Sequence, residues 1–236
     1  MSIFSMPLRK LLWLNIFPAM LAGQALAEGQ RGKLPDPAMP LPTAKIAGPQ
    51  IAVFAGGCFW GVEAVFRHVN GVISATSGYA GGSASTANYK AVSRGKTAHA
   101  EAVQVVYNPQ KISYGQLLKI FFAVAHNPTE LNRQGPDRGP QYRSTIFTTS
   151  DSQQRVAAAY INQLQAAKIY RDSIVTQVQP LPAFYPAEDY HQDYVARNPL
   201  QPYIVINDLP KLRHLREQFP ELYRQNGIPL SGAKNG

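Results

Sequence analysis

The chain has 236 residues, 45% of them hydrophobic, which suits one domain with a sizeable core and excludes global disorder. Its formal charge is +9, but Lys and Arg are scattered, with no basic run and no helix-turn-helix or zinc-finger spacing. The charge therefore reads as solvation, and no nucleic-acid partner is expected.

Arg9 and Lys10 precede an apolar run from Leu11 to Ala22, and Ala25-Leu26-Ala27 ends it with small residues at cleavage spacing. That is the build of a secretory signal peptide over residues 1–27, with an uncleaved anchor as the competing reading. Export, to a periplasm for example, is the expectation. The run is short for a membrane span, so stable insertion is not expected. Residues 28–48, rich in Pro, Gly and Lys, read as a flexible linker, 49–226 as the folded domain and 227–236 as a C-terminal tail.

Order begins at Ile51-Ala52-Val53-Phe54, a run suited to a buried strand. Gly56-Gly57 breaks it, and Val62, Val65, Phe66 and Val69 recur at helical spacing. Val72 to Ser77 predicts a second strand, ended by Gly78 and Gly81-Gly82. Glu101 to Tyr107 alternates as a third, stopped by Asn108-Pro109. Ser113 and Gln116 form a capping-box pattern ahead of Leu117, Leu118, Phe121 and Phe122. A polar loop from Asn127 to Gln141 follows, long enough to suggest function. Tyr142 to Thr148 predicts a strand, Ser150 caps a helix to about Ile169, and Ile174 to Val178 predicts another strand. A Pro-rich stretch leads to Glu188-Asp-Tyr-His191-Gln-Asp-Tyr194. The chain closes with Tyr203 to Ile206 and a basic helix near Leu209 to Tyr223. This interleaving predicts an α/β (α+β) two-layer sandwich on a mixed central sheet.

Cys58 is the sole cysteine, so it has no internal disulfide partner. It sits in Gly56-Gly57-Cys58-Phe59-Trp60-Gly61, where a strand hands over to a helix. A helix N-terminus offers free N–H groups and a positive dipole end, both of which favour a thiolate. The glycines allow a sharp turn and, at Gly57, close approach of a ligand. The bland alternative is that Cys58, Phe59 and Trp60 are core residues after a strand. Glu101 opens a strand with apolar Ala102, Val103, Val105 and Val106, where partial burial would raise its pKa and make it an acid; the alternative is an exposed strand end. His68, His99, His126, His191 and His214 are scattered and offer no metal-ligand spacing, so no metal is expected.

Gly-Cys-Phe-Trp-Gly followed by Val62-Glu63 resembles the signature of the A-type peptide methionine sulfoxide reductases. The resemblance continues through Gly78-Tyr79-Ala80-Gly81-Gly82, Asn88-Tyr89 and His99-Ala100-Glu101-Ala102-Val103. Gln134-Gly135, Asp137 and Gln141-Tyr142-Arg143-Ser144 carry it on, as do Ala187-Glu188-Asp189-Tyr190-His191-Gln192 and Asn198-Pro199. It implies a ferredoxin-like two-layer fold and reduction of the S epimer of methionine sulfoxide, free or in oxidised proteins and peptides, without a cofactor. Cys58 would be the nucleophile and Glu101 the proton donor. Tyr89 and Tyr142 would bind the sulfoxide oxygen, Phe59 and Trp60 the methyl group, and Asp137 polar atoms of the pocket. His191 packs its segment or joins Gly57 among the binding residues. Many family members carry further cysteines that resolve the oxidised nucleophile, and Ser93 stands where some have one. With none here, a sulfenic acid on Cys58 would need an external thiol, either a small thiol or a thioredoxin-like protein. A monomer is expected. Two other readings compete: a cysteine-dependent hydrolase or acyltransferase using His191, and an exported binding module whose cysteine pairs with a partner chain.

Overall fold

The apolar run at the start of the domain forms β1 (Gln50–Gly56), and the helical spacing after it forms α1 (Phe59–Arg67). The computed structural model describes residues 34–41 and 48–229. The expected signal peptide, the parts of the linker before Leu34 and between Leu41 and Gly48, and the tail beyond Pro229 lie outside the described residues. Next come β2 (Val72–Ala80), a short α2 (Tyr89–Val92), β3 (Ala100–Tyr107) and α3 (Tyr114–Ile120), which runs on as a π-helical stretch over Phe121–Ala125. The expected capping box on α3 is present, with Ser113 Oγ accepting from the Gln116 N–H and Gln116 Oε1 accepting from the Ser113 N–H.

A small hairpin, β4 (Arg133–Gln134) with β5 (Asp137–Arg138), lies inside the long polar loop. Then follow β6 (Ser144–Thr148), α4 (Asp151–Ala166), β7 (Gln177–Pro180), β8 (Phe184–Pro186), α5 (Tyr194–Arg197), a π-helical stretch over Ile204–Asp208 and α6 (Leu209–Gln218). The six-stranded sheet has the order β7-β6-β1-β3-β2-β8, antiparallel throughout except for β6 with β7, which is parallel.

Several boundaries differ from the sequence reading. Strand β2 passes through Gly78 to Ala80 because both of its edges are paired there, with β3 and with β8. The strand at Ile174 to Val178 begins only at Gln177, since the Val175 N–H is taken by the Pro128 carbonyl of the polar loop. Tyr142 closes a 3₁₀ turn (Pro140–Tyr142) and is not in β6. Part of the segment read as flexible linker is packed: Leu34 and Leu41 are buried, the Tyr160 hydroxyl donates to the Pro35 carbonyl (2.9 Å), and Lys119 pairs with Asp36 (2.9 Å). At the other end Arg67 donates to the carbonyls of Ile228 and Pro229, so the tail is tied to the domain at its first residues.

The main core lies between one sheet face and helices α1, α3 and α4. Phe54 on β1 is fully buried and stacks on Phe66 of α1 (5.0 Å) and on Phe121 (4.9 Å). This three-ring contact fixes where α1 starts relative to the sheet. The opposite sheet face carries a smaller cluster of Val53, Ala55, Ala80, Ala100, Ala102 and Phe147, covered by Leu181 and Phe184. No helix among the described residues is long and apolar enough to cross a membrane. Truncating Phe54→Ala should cost about 3–5 kcal/mol in urea unfolding. A loss below about 1 kcal/mol would show that the ring stack does not anchor α1.

Candidate active site

The chain leaves β1 at Gly56, turns at Gly57 with φ +92°, and enters α1 with Cys58 as its N-cap residue. A Cβ on Gly57 would stand 2.5 Å from the Gln134 side chain, which is itself held by the Asn127 backbone (2.9 and 3.1 Å). The missing side chain of Gly57 makes room for Gln134 and for a left-handed turn.

Antiparallel pairing places Phe54 opposite Val103, so β1 ends level with Glu101 on β3. Glu101 is 2% exposed, and its Oε2 accepts the Phe59 N–H (3.1 Å) at the first position of α1. Burial, with the nearby Asp137 charge, raises its carboxyl to about 8, against the pull of that N–H. Glu101 is thus a protonated acid at neutral pH beside Cys58, and the exposed-strand-end alternative fails.

The thiol does not follow the expectation drawn from the helix end. Cys58 is buried, and burial first, then the Glu101 and Asp208 carboxylates, hold its pKa well above the ordinary thiol range. A hydrogen bond from the Trp60 N–H acts the other way and is outweighed. The resting group is a thiol, because the dipole at one helix end is weaker than desolvation next to carboxylates.

Tyr89 starts α2, where its N–H donates to Glu188 Oε1 (2.9 Å) while Glu188 Oε2 accepts the Tyr79 hydroxyl (2.8 Å). Tyr142 is positioned by its neighbour Arg143, which donates to the carbonyls of Pro140, Ala98 and His99 and so ties the turn to the start of β3. Both tyrosines lie within electrostatic reach of Cys58 and Glu101, and burial raises their phenol pKa values, which keeps them as donors. Asp137 on β5 accepts a hydrogen bond from the Tyr203 hydroxyl. Burial raises the Asp137 carboxyl, while Tyr203 and Lys211 pull it down.

Of the two aromatics after the cysteine, Phe59 is buried, with its ring against Tyr79 (5.9 Å) and His191 (5.0 Å). Trp60 keeps some surface. It stacks on Tyr194 (3.8 Å, nearly parallel) and donates through Nε1 to His191 Nδ1 (3.1 Å). His191 is buried, its pKa is lowered by burial, and its ring lies 4.5 Å from Tyr89. It works as a neutral hub that aligns Trp60 and Tyr89.

The sequence reading missed Tyr203, Glu188, Tyr194 and Asp208. Tyr203 was one of twelve tyrosines with nothing to single it out. Asp208, ahead of Leu209-Pro210, has the look of an ordinary N-cap for α6. In the structure it lies inside a helical run that continues from the π-helical stretch into α6, and it makes no capping bond.

The geometry joins one buried thiol, one protonated acid and a ring of hydroxyls, and it can deliver a nucleophile and a proton to one small polar group. Residues 50–223 match the family model described as peptide methionine sulfoxide reductase. A Mesorhizobium japonicum protein, peptide methionine sulfoxide reductase MsrA 2, is 54% identical over 188 residues, covering 80% of this chain and 96% of that protein. A Synechocystis protein of the same name is 51% identical over 205 residues, covering 86% and 96%. Two solved structures share the fold. Reduced Mxr1 from Saccharomyces cerevisiae has a TM-score of 0.60 at 35% identity, covering 72% of this chain and 94% of that one. Methionine sulfoxide reductase A of Corynebacterium diphtheriae has a TM-score of 0.58 at 35% identity, covering 71% and 84%. With the family model covering nearly all of the folded domain, the chain belongs to the A-type peptide methionine sulfoxide reductases and reduces the S epimer of methionine sulfoxide to methionine.

Proposed function

We propose that Cys58 and Glu101 carry the reaction as a pair, on the observation that Glu101 docks on the first N–H of the helix that Cys58 caps. Cys58 Sγ gives an electron pair to the sulfoxide sulfur. The sulfoxide oxygen takes the Glu101 proton, and the thiol proton restores Glu101. The S–S bond so formed and the substrate S–O bond then break as the hydroxyl passes to Cys58 Sγ, so the substrate sulfur gains two electrons and leaves as a thioether. The cysteine sulfur loses two and ends as a sulfenic acid. Tyr89 and Tyr142 donate to the oxygen while charge builds on it. Trp60, seated on Tyr194, offers the apolar wall for the methyl group, and Asp137 with Tyr203 takes the polar end of the substrate.

The hydrolase reading is not favoured, because His191 Nδ1 is occupied by Trp60 and serves to hold that ring. With one cysteine in the sequence, recycling falls to an external thiol. The first thiol displaces water from the sulfenic acid to give a mixed disulfide. A second thiol releases Cys58 and leaves the reductant as a disulfide. A small thiol or a thioredoxin-like protein fits this chemistry, acting on a monomeric enzyme. We further propose, from Arg9, Lys10 and the run that follows, that the enzyme is exported and repairs oxidised exported proteins. A mature exported protein that still begins at Met1 would count against cleavage after Ala27.

Glu101→Gln should lower the turnover rate by roughly 10²–10⁴. In the parent, the rate of the chemical step should fall as pH rises through about 8, where Glu101 loses its proton. Stability runs the same way with pH, although the substitution acts on it in the opposite direction to its effect on rate. The folded-state pKa of Glu101 is raised, so folding favours its protonated form, and stability from this group declines as pH rises from 4.5 to about 8. The amide has no charge to desolvate, so the variant should melt several degrees higher than the parent at pH 9. A variant that keeps full activity, or melts lower at pH 9, would contradict the assignment. Separately, substrate-oxidised enzyme mixed with a monothiol should yield a mixed disulfide on Cys58 by intact mass. Finding only non-covalent complexes would exclude direct attack by the partner.

A further inference from the structure

Asp208 is completely buried and ends the π-helical stretch that follows Tyr203. Its backbone is helical (φ −111°, ψ −41°), and the helix runs on through it from the π-helical stretch into α6, so its side chain has no helix N-terminus to cap. One carboxylate oxygen, Oδ1, pairs with Lys211 Nζ (3.1 Å), and the other, Oδ2, is buried with no hydrogen-bond partner among the described residues. The same carboxylate lies against the first turn of α1. A Cβ on Gly61 would stand 2.1 Å from Oδ1 and 2.5 Å from Lys211 Nζ. The second glycine of Gly-Cys-Phe-Trp-Gly therefore leaves room for a carboxylate three residues after the nucleophile.

A buried, half-satisfied carboxylate is costly. Packing does not explain it, since an uncharged side chain of that shape would fit. What the charge does is oppose the helix dipole at the end that Cys58 faces. We propose that Asp208 is a positioning residue of the active site, whose carboxylate, held on Gly61 by Lys211, keeps the resting Cys58 thiol from reacting with electrophiles other than the substrate. This rests on Cys58 being the nucleophile. A chain with one cysteine has no second thiol of its own to rescue the first, so a quiet resting sulfur protects it from capture and over-oxidation between turnovers.

The groups facing Cys58 are Glu101 on β3, Asp137 on β5, Tyr89 at the start of α2, Tyr142 in the 3₁₀ turn, and Tyr203 and Asp208 before α6. Lys211 Nζ lies beside Asp208 and also against Gly61, where it pulls the Asp208 pKa down while burial pushes it up. Of these, Asp208 is the carboxylate with no assigned part in substrate binding or proton transfer.

The test is the rate of iodoacetamide alkylation of Cys58 against pH in the pre-reduced full chain, read by mass, without any sulfoxide. Asp208→Asn keeps the shape and removes the charge; Asp208→Ser removes both and serves if the amide disturbs folding. Both should alkylate faster at pH 7, by on the order of fivefold once the lower nucleophilicity of the more acidic thiol is counted. Their rates should converge on the parent or fall below it at alkaline pH. An unchanged rate at pH 7, or an increase of equal size at every pH, would overturn the proposal, the latter because it reports exposure of the sulfur and not charge. The assay reads the thiol directly, so the parent's sulfoxide turnover, lost or retained in Cys58→Ser, judges the nucleophile assignment independently.

Discussion

The site depends on how the free N–H groups in the first turn of α1 are shared. A helix N-terminus has unpaired donors and a positive dipole end, and in a buried position they must be met. Here Phe59 N–H meets Glu101, Trp60 N–H meets the Cys58 sulfur, and the Asp208 carboxylate presses on Gly61. Three acidic groups therefore converge on one helix end that cannot neutralise all of them. The outcome is decided by desolvation. Glu101 keeps its proton to about pH 8 and Cys58 keeps its own well beyond, so proton and nucleophile are stored side by side in neutral form.

The remainder of the fold holds that helix end in place. The Phe54, Phe66 and Phe121 stack sets α1 on the sheet, and antiparallel pairing of β1 with β3 brings Glu101 level with the turn. Glu188 joins Tyr79 on the sheet to Tyr89 across the cleft, and His191 joins Trp60 to Tyr89. Buried carboxyls such as Glu101 and Asp208 oppose folding at high pH. Sites tuned for chemistry commonly carry this conflict between stability and function.

Much of this was legible in the sequence because local rules govern it. The strand, Gly-Gly break and helical spacing around Cys58, the capping box at Ser113 and the apolar alternation after Glu101 are all short-range signals. The reading of Cys58 as a thiolate failed because it counted the helix dipole, which is local, and not burial beside carboxylates from β3 and the C-terminal segment, which is not. Asp208 and Tyr203 were hidden for the same reason: each looks ordinary locally, one as a cap ahead of Leu209-Pro210 and the other as one tyrosine among twelve, and each acquires its role only when α6 packs on α1. The linker reading failed at Leu34 to Leu41, where Pro and polar residues masked two buried leucines and bonds to α3 and α4.

The most direct test of the Cys58–Glu101 pair is a single turnover without added reductant, on peptides carrying each epimer of methionine sulfoxide. The account predicts one equivalent of methionine per chain from the S epimer alone, with one oxygen gained by the peptide containing Cys58. No methionine from pre-reduced enzyme, or methionine formed while Cys58 stays unoxidised, would contradict it.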